Sequence, residues 1–366
     1  MVLVDEFELG KCSWRTTTLG EVCKMYQPKT LSRKQMNLEG AYPVYGANGI
    51  IGYHSEFNHE SQQVVIGCRG TIGKVHLTQP ESWINGNAMV IQSIDNKILK
   101  SYLFYLLQHG INLSSAVSGA AQPQVTRTSL SPLVVSYPTD LREQKRIVDY
   151  LDSASRQLDR QNQRLLEQED LALSLVQNKL KSVFAVEMLD VRSVPFLEAI
   201  DPVPSSTKIK KRDFKIEGLY PIISQESEFV NGYWDDPSDV LRLDAPVVVF
   251  GDHTRTLKFV DFDFVRGADG LKVLLPKDGI NARFFYHQLR SFELKNLGYA
   301  RHYRLLKSTS IKVPEPWVQE EIATMFDNLD VHVNKLKDSL ANKRTGFEQL
   351  RTAIVHGLLT KTGDDG

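Results

Sequence analysis

Side chains that can contact nucleic acid gather in turn-rich parts of the first half of the sequence. Arginine and lysine hydrogen-bond guanine or phosphate, and asparagine and glutamine hydrogen-bond adenine. Such residues stand between Gly, Pro and Ser, where loops are expected to project, at Asn48, Arg69, Lys74, Gln122, Gln124 and Arg127. These residue types in loops predict a surface that contacts DNA.

The second half of the chain carries a denser set of cations. A basic run suited to phosphates occupies Lys208, Lys210, Lys211 and Arg212. Further on, charge is combined with an aromatic ring at His253, Arg255, Arg301, His302, Tyr303 and Arg304. We expect residues 301–304 to lie closest to the bases, whereas the basic run could equally be a solvated loop.

A magnesium-dependent nuclease is the catalytic alternative. Asp278, Glu293 and Lys295 resemble the spaced carboxylates and lysine that position a metal ion beside a phosphodiester. The pattern is short, and Glu293 and Lys295 equally suit an exposed helix end. A phosphate-binding loop at 67–74 is disfavoured because Val75 stands where serine or threonine is required. We therefore expect no catalytic residue, metal ion or cofactor in this chain.

The charge balance is neutral, with 44 lysines plus arginines and 44 aspartates plus glutamates in 366 residues. A free-standing DNA-binding domain usually has a basic excess. Neutrality remains compatible with DNA contact if the positive charge is local, or if a partner supplies most phosphate contacts. The three cysteines form no CxxC pair, which disfavours a zinc site, and the N-terminus lacks a signal-peptide pattern. We expect a cytoplasmic protein.

The elements that must position these side chains are encoded twice. EGAYPV at 39–44 returns as EGLYPI at 217–222, and VVIG at 64–67 returns as VVFG at 248–251. Both copies contain short β-branched runs bounded by turn residues, and both end at a proline that precedes a Gln- and Glu-containing helix start. The sequence therefore predicts two repeated β-rich modules, each followed by a long helix.

Both predicted helices carry an apolar repeat with alternating steps of three and four residues, which is typical of helices that pack along one another. Each is too long to be covered by one small module. We expect them to pair with each other, antiparallel; separate helices, each packed on its own module, are the less favoured alternative. The predicted pairing positions are Ile147, Leu151, Leu158, Leu165, Val176, Leu180, Ile322, Phe326, Val333, Leu336, Leu340, Phe347, Leu350 and Ile354.

Two sets of motifs, one in each half of the sequence and each followed by a long predicted helix, together resemble the type I restriction-modification specificity subunit (HsdS) over almost the whole chain. The first copy carries YPVYGANG at 42–49, RGTIGK at 69–74 and QPQ at 122–124. The second copy carries GDHTR at 251–255, GADG at 267–270 and RHYR at 301–304.

The resemblance implies an α+β fold: two β-rich target-recognition domains joined by two long helices in an antiparallel coiled coil with pseudo-two-fold symmetry. The expected boundaries are 1–139 for the first domain, 140–186 for the central helix, 187–315 for the second domain, 316–360 for the C-terminal helix and 361–366 for a polar tail.

The resemblance also implies partners. Each recognition domain would bind one half of a bipartite DNA duplex target, and the helices would bind two methyltransferase subunits. Those subunits would hold S-adenosylmethionine and methylate adenine, and a restriction subunit with motor and nuclease activity would cut unmodified DNA. No catalysis need reside in this chain. Because the two modules are only loosely alike, we expect an asymmetric target. A coiled-coil interaction protein without DNA binding is the remaining alternative.

Overall fold

The computed structural model describes residues 7, 10, 12–37, 39–119, 122–185, 191–268, 270–295, 298 and 301–360. The chain divides into two compact units: Met1–Leu165 with Asn342–Gly366, and Leu166–Ala341. Over the described ranges, the helices lack the combination of length and apolarity that crossing a membrane requires. The predicted polar tail at 361–366 lies outside the described residues, as does Asp269 of the GADG motif.

Two of the α-helices are far longer than the rest. The helices are α1 (Leu19–Val22), α2 (Lys100–Tyr105), α3 (Arg127–Leu130), α4 (Leu141–Ala185), α5 (Ala282–Ser291), α6 (Tyr303–Lys307) and α7 (Pro316–Leu359). Helix α4 begins after Asp140, whose Oδ1 accepts the Arg142 amide at 2.8 Å and so caps the first turn. Helix α7 starts with Pro316, a residue that fits the first helical position because no backbone donor is needed there.

Unit 1 contains the first module, built from eleven strands within the described residues. They are β1 (Trp14–Thr18), β2 (Cys23–Tyr26), β3 (Tyr42–Gly46), β4 (Gly49–His54), β5 (Val64–Gly67), β6 (Val75–Leu77), β7 (Trp83–Ile84), β8 (Ala88–Ser93), β9 (Val117–Ser118), β10 (Gln124–Val125) and β11 (Val134–Pro138). One sheet has the order β2-β8-β5-β6 and another β4-β3-β7; β1 pairs with β11, and β9 with β10.

Unit 2 contains the second module. Its strands are β12 (Arg192–Pro195), β13 (Ile200–Asp201), β14 (Lys208–Ile209), β15 (Tyr220–Ile223), β16 (Gly232–Trp234), β17 (Val240–Leu241), β18 (Val247–Gly251), β19 (Leu257–Val260), β20 (Phe264–Gly267), β21 (Leu271–Pro276) and β22 (Ser310–Val313). The sheets have the orders β13-β21-β18-β19 and β14-β20-β15-β16; β17 also pairs with β20, and β12 with β22.

The two modules share their strand connections. Each has a four-stranded antiparallel sheet whose third strand is a fully buried valine-rich run, β5 in one and β18 in the other. Each has a parallel pair next to it, β3 with β7 and β15 with β20. Each is closed by a terminal antiparallel pair, β1 with β11 and β12 with β22. The duplicated sequence motifs therefore occupy corresponding strands.

A buried glutamine ties each long helix to its module. In unit 1 the Gln144 Oε1 accepts the Leu99 amide at 2.7 Å, in front of α2. Its Nε2 donates to the carbonyls of Lys97 at 3.0 Å and Pro138 at 2.8 Å. These three hydrogen bonds satisfy backbone groups that a helix start and a strand end would otherwise leave unpaired.

Unit 2 repeats this contact with Gln319. Its Oε1 accepts the Asn281 amide at 2.8 Å, in front of α5, and its Nε2 donates to the carbonyls of Gly279 at 3.0 Å and Pro314 at 2.8 Å. Both glutamines are buried. The same junction between module and helix is thus built twice.

In unit 1, the first half of α4 packs on the end of α7. Arg351 forms an ion pair with Asp159, and Asn162 Nδ2 donates to Glu348 Oε1 at 3.4 Å. Because the residue numbers of successive contacts rise along α4 and fall along α7, the two segments run antiparallel here.

In unit 2, the second half of α4 packs on the first half of α7. Lys337 Nζ lies 3.8 Å from Glu169 Oε1, and Phe326 shares an apolar cluster with Val176 and Leu180. These segments are antiparallel as well. Eight of the predicted pairing positions are buried: Ile147, Leu151, Leu158, Leu165, Val176, Leu180, Phe326 and Leu340. Four are half-buried: Ile322, Val333, Phe347 and Ile354.

Two predicted pairing positions are wrong. Leu336 and Leu350 are 39% and 36% exposed. The following residues, Lys337 and Arg351, point towards α4 instead and pair with its carboxylates. Long cationic side chains can bury their aliphatic stems along a helix while keeping the charge at the edge. A repeat assigned from apolar residue types alone therefore misplaced the inward position by one residue at both sites.

A charged network holds α5 against α7 in unit 2. Buried His287 places Nε2 2.8 Å from Asp327 Oδ1, and the Arg290 guanidinium lies 3.0 Å from His287 Nδ1. Arg290 also binds Asp330, with Nη2 to Oδ1 at 2.9 Å. Because a guanidinium only donates, Nδ1 must accept and Nε2–H must donate, which describes a neutral imidazole. Burial lowers the pKa of His287 and favours this neutral form.

Candidate nucleic-acid interface

Four segments of the first module meet at one place, the first loop cluster, comprising residues 46–49, 67–74, 85–88 and 122–127. The Cys68 amide donates to the Asn87 carbonyl at 2.8 Å, and the Val125 amide donates to the Cys68 carbonyl at 3.1 Å. Lys74 Nζ donates to Asn48 Oδ1 at 2.9 Å. Backbone bonds therefore bring together loops that are far apart in the sequence.

The second module has a corresponding second loop cluster, comprising residues 208–213, 224–226, 251–256, 267–268, 270 and 301–304. The Asp252 amide donates to the Gly270 carbonyl at 2.7 Å, and the His302 amide donates to the Asp252 carbonyl at 2.8 Å. Asp252 thus makes the same pattern of backbone bonds as Cys68 does in the first cluster: its amide donates to one loop and its carbonyl accepts from another. The pair of bonds aligns Val125 with His302.

The central turn is also shared. In the first cluster Gly67 donates to the Lys74 carbonyl and accepts from Gly73, both at 2.9 Å. In the second, Gly251 accepts from Arg255 at 2.8 Å. The aligned residues Gly73 and Arg255 both have positive φ, 74° and 62°.

Positive φ is ordinary for glycine but uncommon for arginine. Such strain persists where the surroundings determine the backbone, often at functional sites. Arg255 is exposed, and its Nη1 donates to the Leu294 carbonyl at 3.1 Å.

The structure brings the six residues predicted in the first module to the first loop cluster. Asn48, Arg69, Lys74, Gln122 and Arg127 are exposed, and Gln124 is half-buried. The hydrogen bond between Lys74 and Asn48 fixes the direction of both side chains. Exposed donors and acceptors on a fixed backbone frame can read base edges or bind phosphates.

The basic run of the second module joins its cluster through the backbone. The Ala268 amide donates to the Ile209 carbonyl at 2.7 Å. The four basic residues, Lys208, Lys210, Lys211 and Arg212, are exposed. Lys211 Nζ lies 3.2 Å from Glu226 Oε1, and Arg212 Nε lies 3.6 Å from Asp213 Oδ1. Exposed pairs of this kind contribute little to stability, so both cations can exchange their partners for phosphates.

The prediction that His302 contacts DNA is wrong. His302 is fully buried, and its Nδ1 lies 2.9 Å from the Asp252 carbonyl oxygen. It is aligned with Val125, which is also buried. The histidine therefore anchors the loop, and the exposed residues on either side of it, Arg301 and Arg304, project from the anchor.

The ring of Tyr303 is not a free aromatic surface, contrary to expectation. It packs edge-on against Phe196 and tilted against Phe250, with centroid distances of 6.0 and 6.3 Å. Lys272 and Lys307 each place Nζ 5.3 Å from the ring centroid. Tyr303 belongs to the module core rather than to a stacking platform.

His253 is half-buried in the second loop cluster, and its amide donates to Gln225 Oε1 at 3.2 Å. Lys258, which is not among the residues predicted from the sequence, supports the same loop. Lys258 is 4% exposed, and its Nζ donates to the Ser224 carbonyl at 2.9 Å and to Asn231 Oδ1 at 3.1 Å. Burial lowers its pKa to about 8. The sequence signal that could have identified this residue is a lysine inside the otherwise apolar strand β19.

The residues suggested for a nuclease do not form a metal site. Glu293 pairs with Lys181, and Asp278 lies in an exposed turn. Across the described part of the chain, no three His, Cys, Asp or Glu side chains come close enough together to hold a metal ion.

Comparison with known proteins identifies relatives. Residues 12–168 match the family model of the "Type I restriction modification DNA specificity domain". The EcoprrI type I restriction enzyme specificity subunit of Escherichia coli is 28% identical over 144 residues, which cover 37% of this chain and 35% of that protein. The EcoR124I/EcoR124II specificity subunit of the same organism is 21% identical over 166 residues, 42% of this chain and 41% of that protein. The matches thus span well under two thirds of these relatives.

A solved structure extends the similarity in fold. A chain from a study of complex assembly and conformational transition of the type I R-M system aligns over 97% of this chain and 99% of its own length, with a TM-score of 0.72 and 18% identity. The HsdS subunit of Thermoanaerobacter tengcongensis aligns over 96% and 98%, with a TM-score of 0.51 and 18% identity. Both show a shared mixed α/β fold. The resemblance found in the sequence is confirmed by the match of residues 12–168 to the model of the type I restriction modification DNA specificity domain.

Proposed function

We propose that the chain is the DNA-specificity subunit of a type I restriction-modification complex, which reads a bipartite DNA target and has no catalytic activity. The observation that carries this proposal is the duplicated backbone frame at Cys68 and Asp252. Each frame presents exposed arginine, lysine, asparagine or glutamine side chains, the residue types that read base edges.

The two half-sites of the target differ in this proposal. The aligned frames carry different side chains, with Gln124 where the second module has Arg301, and Gly73 where it has Arg255. Glutamine suits adenine and arginine suits guanine. Two readers with different side chains specify an asymmetric sequence.

Helices α4 and α7 form the platform for partner subunits. Their antiparallel pairing within each unit supports a coiled coil with pseudo-two-fold symmetry, on which two methyltransferase subunits bind. Leu171 and Leu175 are both 59% exposed on α4, and apolar side chains in that position favour contact with a partner helix. S-adenosylmethionine would be held by those subunits, and the restriction subunits would join the same complex.

The neutral charge leads to a binding prediction. We expect the chain alone to bind duplex DNA weakly, and the methyltransferase to tighten binding and steepen its salt dependence, because more phosphates are then neutralised. Fluorescence anisotropy with labelled duplexes, with and without methyltransferase, measures both quantities. A complex that shows no preference between DNA sequences contradicts the proposed function. If the chain alone binds DNA as tightly as the complex does, the methyltransferase does not supply the additional phosphate contacts.

A further inference from the structure

Two cations lie side by side in the second module. Lys208 in β14 and Arg266 in β20 are register partners on adjacent parallel strands. Neighbouring strands are about 5 Å apart, so these side chains leave the same face close together. Like charges in that position repel each other. Within the described ranges, neither side chain makes a hydrogen bond or ion pair.

Arg266 is unusual because part of its guanidinium is removed from water. The residue is half-buried, and its Nε atom is buried without an acceptor. Its register partner on the other side, Ile223, is fully buried. Burial lowers the pKa of Arg266, and among the described residues no acidic side chain offsets this effect. A desolvated cation without a counter-charge is costly, so the arrangement requires an explanation.

The first module shows that the fold does not need a cation at this position. In the parallel pair of strands, Tyr45 opposes Ile84 just as Ile223 opposes Arg266. Ile84 is fully buried in the core. An aliphatic side chain therefore satisfies the packing there, and the arginine serves a purpose other than packing.

We propose that Lys208 and Arg266 together clamp one backbone phosphate of the DNA bound by the second module. This inference rests on the proposed DNA-reading function. A phosphate would give the Arg266 guanidinium a counter-charge and remove the repulsion between the two cations. The pair lies at the start of the second loop cluster, two residues before Lys210 and Ala268, so a phosphate bound here also fixes the position of the loops that meet the bases.

The clamp is tested with the full chain and a labelled mixed-sequence duplex of about 40 base pairs, whose affinity is measured as a function of salt concentration. Each phosphate contact contributes about 0.9 to the slope of log affinity against log salt. We expect Arg266→Ile and Lys208→Gln each to make the slope shallower by about this amount. Arg266→Lys keeps the charge and should keep the slope. Arg242→Gln removes an exposed cation paired with Asp263 and should leave the slope unchanged.

The thermal unfolding midpoint of Arg266→Ile should be equal to or above that of the wild type, because the substitution removes a desolvated charge. A wild-type slope in Arg266→Ile or in Lys208→Gln overturns the clamp, and the exposed position of Lys208 keeps this test open even if Arg266→Ile fails to fold. A changed sequence preference at constant slope also overturns it, since that result identifies a base contact. Failure of the wild-type chain to bind duplex, with or without methyltransferase, instead refutes the proposed function itself.

Discussion

A variant with Arg301 and Arg304 both replaced by alanine is expected to lose its selectivity at one half of the DNA target while the other half is read as before. Both arginines are exposed and flank the buried anchor His302. Each bidentate arginine contact to a base contributes about 1–3 kcal/mol, so selectivity should fall about 5- to 160-fold for each contact removed. Competition between duplexes altered in one half-site measures this loss.

The matched control is the double replacement of Gln124 and Arg127 by alanine, at the aligned positions of the first module. It should relax the other half-site only. If Arg301→Ala with Arg304→Ala weakens binding equally for all sequences, these arginines bind phosphates and the reading surface has been assigned to the wrong residues.

The replacements Gln144→Glu and Gln319→Glu are each expected to lower the free energy of unfolding by about 2–5 kcal/mol. A carboxylate can still accept the helix amide, but it cannot donate to the two carbonyls that each glutamine binds. Each buried polar group left without a partner costs about 1–3 kcal/mol. Urea unfolding of each variant, compared with the wild type at neutral pH, measures the loss.

Gln168→Glu, at an exposed position on α4, is the control and should change stability by less than about 0.5 kcal/mol. The two buried replacements should have similar effects because their hydrogen-bond geometry is the same. A small loss at both positions, or a loss at only one, would contradict the duplicated junction between module and helix.

The helices could be predicted from the sequence because their signal is local and repeated. The predicted ranges 140–186 and 316–360 compare with helices at Leu141–Ala185 and Pro316–Leu359. The pattern of apolar residues did not identify Lys337 and Arg351 as inward positions, because it ignores aliphatic stems that carry a charge. Pairing through such residues is visible only when the opposing helix is placed.

The loops could be predicted by residue type, but the frame that positions them could not. Cys68 and Asp252 share no chemical property, and their equivalence lies in backbone bonds to residues distant in sequence. The sequence suggested that His302 is exposed because it stands in a run of basic residues. Only the backbone bonds show that it occupies the position equivalent to buried Val125. Arg266 was missed because strand register decides which residues stand beside it.

The central claim, that the two loop clusters read two different half-sites, is tested most directly by mapping methylated adenines across the genome of cells that produce this chain together with its methyltransferase. We expect one methylated motif made of two unequal specified halves separated by unspecified base pairs, and we expect it to be absent when the chain is deleted. A continuous motif, a motif that persists without the chain, or methylation without any motif would contradict it.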